Sequence, residues 1–256
     1  MSAGPALAPS RYNKIELIKE GKDPIELNAG TISVDYYESL YSPTVTAAIV
    51  FVDAGGNIED AKTGSLKSVK EALPLEGNED LSLKITTKTG ELNFTKKENQ
   101  FKVNRCPVVS RESNRETVLL DLTTRNEKTN DSVPIFDKYK GKISDTVKKI
   151  LSEKLEIPQD RIEVDPTENE YNFVGKGQGA LNIIRDLCRK SIPVGGDAGY
   201  FFYQTKSAFK YKAIDELIKQ EPKTKVFYTG ALKSDFETQT EDNDDKIMRE
   251  PVFSKD

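Results

Sequence analysis

The sequence predicts a mainly β protein with an α+β second domain, in which an antiparallel barrel or sandwich is followed by a mixed α+β region. Three observations support this fold class. Alternating apolar residues dominate residues 13–124, turn residues separate these runs, and helical spacing replaces the alternation after residue 134. At 256 residues the chain is long enough for one large domain or two small ones.

The first region consists of strand-like runs in which every second residue is apolar. One run is predicted to place Ile32, Val34 and Tyr36 on one face and Ser33, Asp35 and Tyr37 on the other. The same alternation recurs over residues 45–51 and 81–85. A last hairpin is expected to pair residues 101–109 with residues 117–123 through a polar loop at 110–116. Residues 13–124 are therefore expected to form the first domain, preceded by a flexible arm over residues 1–12.

The second region begins after a polar stretch, residues 125–134, which is predicted to be a linker. An α+β domain is expected over residues 135–232. Apolar spacing predicts one helix from Ile143 to Leu155, capped by Ser144 or Asp145 and ended by Pro158, and a second helix after Gly179. Two strands, 200–204 and 209–213, follow around a turn, and then a helical turn at 214–218 and a further strand at 225–228.

Composition excludes several classes of function. The 38 basic and 42 acidic residues give a net charge of −4, so the chain has no overall basic field for nucleic acid or an anionic membrane. The sequence has no His, which rules out Ser-His-Asp and Cys-His catalysis, His-ligated zinc or haem, and an imidazole pH switch. The longest apolar stretch, residues 45–52, is far shorter than the ~20 residues that cross a bilayer. Residues 1–10 lack the basic and apolar regions of a signal peptide.

The cysteines and the acidic end of the sequence indicate structural roles. Cys106 and Cys188 have neither a CxxC spacing nor the density of a disulfide scaffold, so buried free thiols are predicted. Residues 235–250 carry seven acidic and two basic side chains, which predicts a solvated acidic connector over residues 233–256.

Two motifs have some features of ligand sites. The glycine-rich segment 175–179 precedes a helix, as phosphate-binding loops do, but it matches neither GxxxxGK[ST] nor GxGxxG, and a loop that turns a strand into a helix is favoured. The run 242–245 lacks the order of a calcium-binding EF-hand loop. The sequence therefore nominates no catalytic residue, no metal ligand and no cofactor, and the chain is expected not to be an enzyme.

Two aromatic clusters remain as candidate contact surfaces. Tyr36, Tyr37, Leu40 and Tyr41 lie at a strand end and form a candidate subunit interface, although alternate members could face the core instead. The run 200–203 is too continuous for a strand with one wet face. Either both of its faces are covered within the domain, or one packs on another subunit.

Three ordered blocks of the sequence resemble a known family. They are residues 30–56, which include Tyr36-Tyr37-Glu38-Ser39-Leu40-Tyr41-Ser42-Pro43; residues 73–85, which begin Leu73-Pro74-Leu75-Glu76-Gly77-Asn78-Glu79; and residues 172–184 continuing into 199–215. In these blocks the chain resembles the central baseplate hub protein of contractile-tailed bacteriophages, in the form found in large myoviruses.

The resemblance implies a virion structural protein, made late in infection, that assembles in the host cytoplasm into the tail baseplate. It implies a tube-like β-barrel and a homotrimer in which two barrels per chain let three chains imitate a six-fold ring. Implied partners are the tail tube initiator, the central spike and other baseplate proteins. DNA is implied to pass only transiently through the lumen, and no membrane is involved. Hub proteins of this kind are longer, so most of a second barrel is expected to lie beyond residue 256, and three alternatives are open: a fragment, one half of a split hub, or a shortened form.

Two other classes of function remain as alternatives. One is a carboxylate-based hydrolase at the tail tip, which needs two acidic groups ~5 to 10 Å apart in a cleft. The other is a carbohydrate- or small-molecule-binding β module, which needs an exposed aromatic platform in a cleft.

Overall fold

A computed structural model of the protein describes residues 10–55, 58–59, 66–87, 90–113, 115–197 and 199–221. The chain divides into two compact units, residues 1–215 and residues 216–256. All of the described strands belong to the first unit.

Nine strands form the main sheet. They are β1 (Arg11–Ile18), β2 (Ile25–Glu26), β3 (Thr31–Tyr37), β4 (Thr46–Asp53), β7 (Asp80–Thr87), β8 (Gly90–Phe94), β9 (Phe101–Arg105), β10 (Val108–Glu112) and β11 (Arg115–Thr124), while β5 (Ile58–Glu59) and β6 (Leu66–Lys67) pair with each other before helix α1 (Val69–Ala72). The order of neighbours is β2-β1-β7-β9-β11-β4-β3, with β8 on β7 and β10 on β11. Every pairing is antiparallel, and the sheet curls into a half-barrel.

The remaining elements are mixed. They are α2 (Arg125–Ser132), β12 (Lys138–Tyr139), α3 (Ile143–Lys154), β13 (Ile162–Val164), β14 (Phe173–Val174), α4 (Ala180–Cys188), β15 (Tyr200–Gln204), β16 (Phe209–Ala213) and α5 (Ile214–Ile218). β16 pairs antiparallel with β15 and parallel with β13, and β12 pairs with β14. The predicted fold class, a β-rich part followed by an α+β part, is confirmed.

The half-barrel buries the side chains that the alternation predicts. Val45, Ala47, Ile49 and Phe51 are almost inaccessible, and so are the alternate apolar residues of β7. Removing apolar area from water is the main favourable contribution to folding, so these faces fix which side of each strand points inward. This core draws all its buried members from residues 15–122, and a second core draws its members from residues 135–213.

The second core forms where the two predicted helices pack beside β15 and β16. Val147, Ile150 and Leu151 of α3 meet Leu181 and Ile184 of α4, so both helical predictions are confirmed. The predicted cap of α3 is wrong in its details. Lys142 is the N-cap residue and provides no side-chain hydrogen bond, whereas the buried backbone N–H of Ser144 donates to Oγ1 of Thr167 at 3.0 Å.

The last hairpin of the half-barrel is longer than predicted. The polar loop expected at 110–116 is mostly strand, because β10 continues to Glu112 and β11 begins at Arg115. Charged side chains pair across these strands instead of entering a core, as in the 2.6 Å contact between Nε of Arg111 and Oε1 of Glu116. Apolar alternation alone does not reveal strands that are solvated on both faces.

The predicted linker over residues 125–134 contains helix α2. Thr124 caps it by accepting the backbone N–H of Glu127 at 3.3 Å, and Thr44 donates its hydroxyl hydrogen to the Glu127 carboxylate at 2.7 Å. The helix has little apolar periodicity, so its sequence looks like a loop. It forms because the cap and its contacts with neighbouring elements supply the stability that the sequence pattern lacks.

The ends of the described chain qualify three further predictions. β1 begins at Arg11, two residues inside the expected arm. The expected strand at 225–228 and the acidic connector lie outside the described residues.

Both cysteines are free thiols; Cys188 is buried as predicted, but Cys106 is only half-buried. No helix in the described ranges combines the length and the apolar character that crossing a membrane requires.

Candidate subunit interface

Strand β3 lies at the end of the sheet order, with β4 as its neighbour among the described strands. An edge strand of this kind presents unpaired N–H and C=O groups, which a strand of another chain can use. The loop that follows β3 carries the rest of the predicted cluster. Strand edge and aromatic loop therefore form one continuous candidate surface, defined here by Tyr37, Leu40 and Tyr41.

A bulge in β3 changes which residues face outward. The pairing with β4 shifts between Thr31 and Ser33, so Ile32 is the extra residue. The alternation places Ile32 on one face with Val34 and Tyr36, and this is wrong because the shift leaves Ile32 59% exposed while the other two are half-buried. Gly30, which directly precedes β3, was the available signal, because a Cβ there would meet the carbonyl oxygen of Val52 at 2.8 Å and such a close backbone approach favours glycine.

The four predicted interface residues divide between core and surface. Tyr36 is half-buried against the half-barrel core, with its ring 5.6 Å from that of Phe94. The Tyr36 hydroxyl donates a hydrogen bond to the neighbouring Glu38 carboxylate at 2.7 Å. Burial and this carboxylate hold the pKa of Tyr36 far above its usual value. Tyr37, Leu40 and Tyr41 are exposed, and Tyr41 most of all at 82%.

Hydrogen bonds at both ends hold the exposed loop in place. At its start, Oε1 of Glu38 accepts the backbone N–H of Lys206 at 2.6 Å, and the Lys206 ammonium donates to the carbonyl oxygen of Glu91 on β8 at 3.2 Å. At its end, the buried N–H of Val45 donates to Oε1 of Gln204 at 3.1 Å. The β15–β16 turn therefore bridges β3 and β8 and fixes the geometry of the aromatic loop.

The second aromatic run covers both faces of β15. Tyr200 and Phe202 face the second core, whereas Phe201 contacts Tyr41 edge to face, with ring centroids 5.6 Å apart and an interplanar angle of 87°. Gln204, on the same face as Tyr200 and Phe202, is also buried and accepts the N–H of Val45. Tyr203, on the same face as Phe201, is only 8% exposed, so the second face of this strand is covered within the chain, which is the first of the two alternatives left open by the sequence.

The glycine-rich loop at 175–179 is a packing element. A Cβ at Gly175 would meet the carbonyl oxygen of Ile135 at 2.3 Å, and one at Gly179 would meet Oδ1 of Asn130 at 2.4 Å. The same Asn130 oxygen accepts the N–H of Leu181 at 2.8 Å, so it occupies the N-terminus of α4 where a phosphate would bind. The favoured interpretation, a loop that connects a strand to a helix, agrees with these contacts.

The two buried carboxylates of the described chain both hold backbone amides. Asp53 accepts the N–H groups of Val69 and Lys70 at 3.1 and 3.4 Å. Glu79 accepts those of Glu76 and Gly77 at 2.8 and 3.1 Å, and so shapes the turn in the second block of family resemblance. Among the described residues, no group of three or more His, Cys, Asp or Glu side chains is arranged to hold a metal ion.

Two adjoining cavities lie between the half-barrel and the α+β part, and both are lined by Glu98, Pro158 and Arg161. One has a volume of about 290 Å³ and also contains Arg125, and the other has a volume of about 550 Å³ and also contains Lys206. Tyr37 and Tyr41 line neither cavity. These exposed aromatics lie on an edge and a loop, which is the setting of a protein contact more than of a sugar-binding cleft.

Comparisons with known proteins find matches among solved structures. No protein-family model matches the chain, and no curated protein sequence matches it significantly. Solved structures to which the chain is similar include phage tail proteins and a type VI secretion protein. The tail protein from Neisseria meningitidis MC58 has a TM-score of 0.46 and 10% identity, over 85% of this chain and 55% of that one.

Two further solved structures also match the chain. The prophage tail protein gp18 from Listeria monocytogenes EGD-e has a TM-score of 0.47 and 9% identity, over 86% of this chain and 56% of that one. The E. coli c3393 protein, a component of the type VI secretion system described as similar to the bacteriophage T4 tail proteins gp27 and gp5, has a TM-score of 0.38 and 12% identity, over 81% and 46%. The chain thus spans about half the length of each of these structures.

Proposed function

We propose that this chain is a baseplate hub protein of a contractile phage tail, a virion structural protein and not an enzyme. In this proposal, residues 13–124 are its tube-like barrel domain and residues 135–232 are the domain packed outside the ring. The proposal rests on the order of the three sequence blocks that resemble hub proteins. Two of these blocks contain structural features described above. The block at 30–56 contains the aromatic loop after β3, and the block at 73–85 contains the turn that Glu79 holds.

The structural observation that supports the proposal is the edge strand β3 followed by an exposed but fixed aromatic loop. Ordering a loop on binding costs conformational entropy, and a loop already held by Glu38 and Gln204 has paid part of that cost. Tyrosines contribute large contact areas with few rotatable bonds. A fixed edge with Tyr37 and Tyr41 exposed is therefore suited to repeated contact with identical subunits, in which each chain offers one edge to the next.

In this role the chain forms a homotrimer that joins the tail tube initiator to the central spike, within the virion. Its function in this role depends on the geometry of its contacts. Three copies present a ring to the tail tube and a three-fold platform to the spike. DNA crosses the lumen without being bound. Among the residues that the structure describes, no observation favours either rival function, because the two buried carboxylates there are engaged with backbone amides and Tyr37 and Tyr41 lie outside the two cavities.

The test is the mass of the full chain by light scattering over a range of concentrations. We expect self-association towards a trimer, shifted to monomer in the double variant Tyr37→Ser/Tyr41→Ser with unchanged circular dichroism. The matched control is Ile192→Ser/Val194→Ser, which removes two exposed apolar side chains of the α+β part and should leave the mass unchanged. A wild-type chain that stays monomeric at high concentration and binds neither tube nor spike proteins would refute the proposal.

A further inference from the structure

Two edges of the main sheet are capped by side chains of the same chain. In β8, the carbonyl oxygen of Glu91 accepts a hydrogen bond from the Lys206 ammonium at 3.2 Å. Beside β1, where β2 has ended, the side-chain oxygen of Asn28 accepts the backbone N–H of Ile15 at 2.6 Å. Unpaired backbone groups at a sheet edge attract strands of other chains, so caps of this kind close these edges to such pairing.

The edges formed by β3 and β10 are open. No hydrogen bond joins the backbone of residues 32–37 or 108–112 to a described residue outside the neighbouring strands, β4 and β11. Lys and Pro often protect an edge strand, and residues 32–37 contain neither. The bulge at Ile32 precedes the run 33–37, whose pairing with β4 is regular. Both strands therefore offer backbone donors and acceptors to another chain.

The two open edges bound one four-stranded part of the sheet, in the order β10-β11-β4-β3. Each of its three pairings is antiparallel, so β10 and β3 run in opposite directions. A second copy placed beside the first in the same orientation therefore brings its β10 antiparallel to β3. A contact between two different surfaces repeats from copy to copy, and it closes into a ring when the rotation between copies is right.

The register of the sheet relates two exposed residues on the open edges, Asp35 and Ser110. Ser110 pairs with Thr117 of β11. Asp35 is level with Asp121 of the same strand, through their shared partner in β4. From 117 to 121 is four residues, an even number, so both side chains lie on the same face of the sheet. A second copy that slides by four residues along the strands therefore brings its Ser110 opposite Asp35.

This slide agrees with the geometry of closed sheets. Four residues correspond to about 13 Å along a strand, and four strands are about 19 Å wide, so the strands tilt by about 35° from the ring axis. Strands of closed barrels tilt by about 35–45°. A slide of six residues corresponds to about 45°, but it places Glu112 opposite Asp35, and like charges directly opposite each other are destabilising. An odd slide turns the outward side chains of one copy against the inward ones of the other.

We propose that β10 of one chain pairs antiparallel with β3 of a second copy, with Ser110 opposite Asp35. The inference rests on the self-association in the proposed function, and it names the surface that receives the β3 edge. In this register Val109, the extra residue at the register shift in β10 and 62% exposed, comes beside Tyr37 of the second copy. The backbone pairing and the aromatic surface then form one continuous contact.

The experiment is disulfide trapping with the full chain. Asp35→Cys and Ser110→Cys are made separately, mixed and mildly oxidised, and the main product should be a linked pair with one chain of each kind. Opposite residues lie within the Cα separation of about 4.4–6.8 Å that a disulfide needs. Within one chain, three strand spacings of about 4.8 Å separate the two positions, which excludes an internal link. Mass spectrometry of the linked peptides distinguishes this disulfide from one that involves Cys106 or Cys188.

The matched control replaces Ser110→Cys by Ser132→Cys, at an exposed serine of α2. It should give no link with Asp35→Cys. Thermal unfolding of each reduced variant shows whether it is folded.

A change of charge tests the same register without a cross-link. Ser110→Asp places a carboxylate opposite Asp35 and should weaken self-association, measured by light scattering, by about twofold to fivefold. Ser110→Lys should strengthen it by a similar factor. Ser132→Asp, outside the sheet, should leave it unchanged.

The outcomes separate this inference from the proposed function. A link between two Asp35→Cys chains would mean that β3 pairs with its own copy, and would overturn the inference. A wild type that self-associates without a link between positions 35 and 110 would also overturn it, while leaving the proposed function in place. A wild type that stays monomeric would overturn both.

Discussion

Val45 and Gln204 form a buried hydrogen bond between residues 159 positions apart in the sequence, in which the Val45 N–H donates to the Gln204 side-chain oxygen at 3.1 Å. Val45 directly precedes β4 of the half-barrel, and Gln204 is the last residue of β15 in the α+β part. This contact fixes the end of the aromatic loop against the end of β15. It therefore joins the candidate interface to the second core.

Gln204→Met should destabilise the protein by about 1–3 kcal/mol, because it keeps the volume but leaves the Val45 N–H buried without an acceptor. The measurement is urea unfolding, with a lower midpoint and an unchanged slope. Gln159→Met, at an exposed position, is the control and should change stability by less than about 0.5 kcal/mol. Equal midpoints for both variants would contradict the assigned role.

Gly179→Ala should destabilise the protein by about 1–3 kcal/mol, since the new methyl group would lie 2.4 Å from Oδ1 of Asn130 and displace the oxygen that caps α4. Gly199→Ala is the matched control. Its methyl group would meet only the Cys188 carbonyl oxygen at an ordinary 3.7 Å. Thermal unfolding should separate the two variants clearly, and similar melting temperatures would mean that the loop at 175–179 yields without cost.

Glu79→Gln should cost about 1–3 kcal/mol of stability, because an NH₂ group replaces one of the oxygens that accept the N–H groups of Glu76 and Gly77. Glu76→Gln provides the comparison at an exposed glutamate, whose ion pair with Lys19 at 3.0 Å lies at the surface and contributes ~1 kcal/mol or less. Denaturant unfolding of both variants tests the difference. A larger loss at Glu76 would contradict the turn-shaping role of Glu79.

The stability contributed by Glu116 should disappear in acid. The hydrogen bond from the Lys70 ammonium, with the charges of Lys70 and Arg111, lowers the pKa of Glu116 below its usual 4.5 in the folded chain. A depressed folded-state pKa stabilises the protein above the unfolded-state value, and the gain is lost as pH falls through the folded-state value. The melting temperature of the wild type should therefore exceed that of Glu116→Gln at about pH 6 and converge with it near about pH 3. A difference that grows on acidification would reverse the sign and refute the assignment.

The sequence by itself determined the elements whose burial follows a simple period. Alternation located β3, β4 and β7, and helical spacing located α3 and α4, because in each case one face must leave water whatever it packs against. The bounds of β15 and β16 were also predicted to the residue, because two aromatic runs separated by a short turn indicate a pair of strands. The cluster of Tyr36, Tyr37, Leu40 and Tyr41 could also be recognised as a candidate surface, because its members lie close together in the sequence.

Only the tertiary structure decided which members of that cluster are exposed. A one-residue bulge turned Ile32 outward, and contact with Phe94 kept Tyr36 against the core, neither of which alternation can specify. Tertiary contacts also made a helix of the polar segment 125–132 and placed Asn130 at the start of α4. The two adjoining cavities around Arg161 join residues from separate parts of the sequence, so they are present only when both cores have formed. Periodicity reports the local balance between burial and solvation, whereas caps, bulges and clefts depend on partners that are distant along the chain.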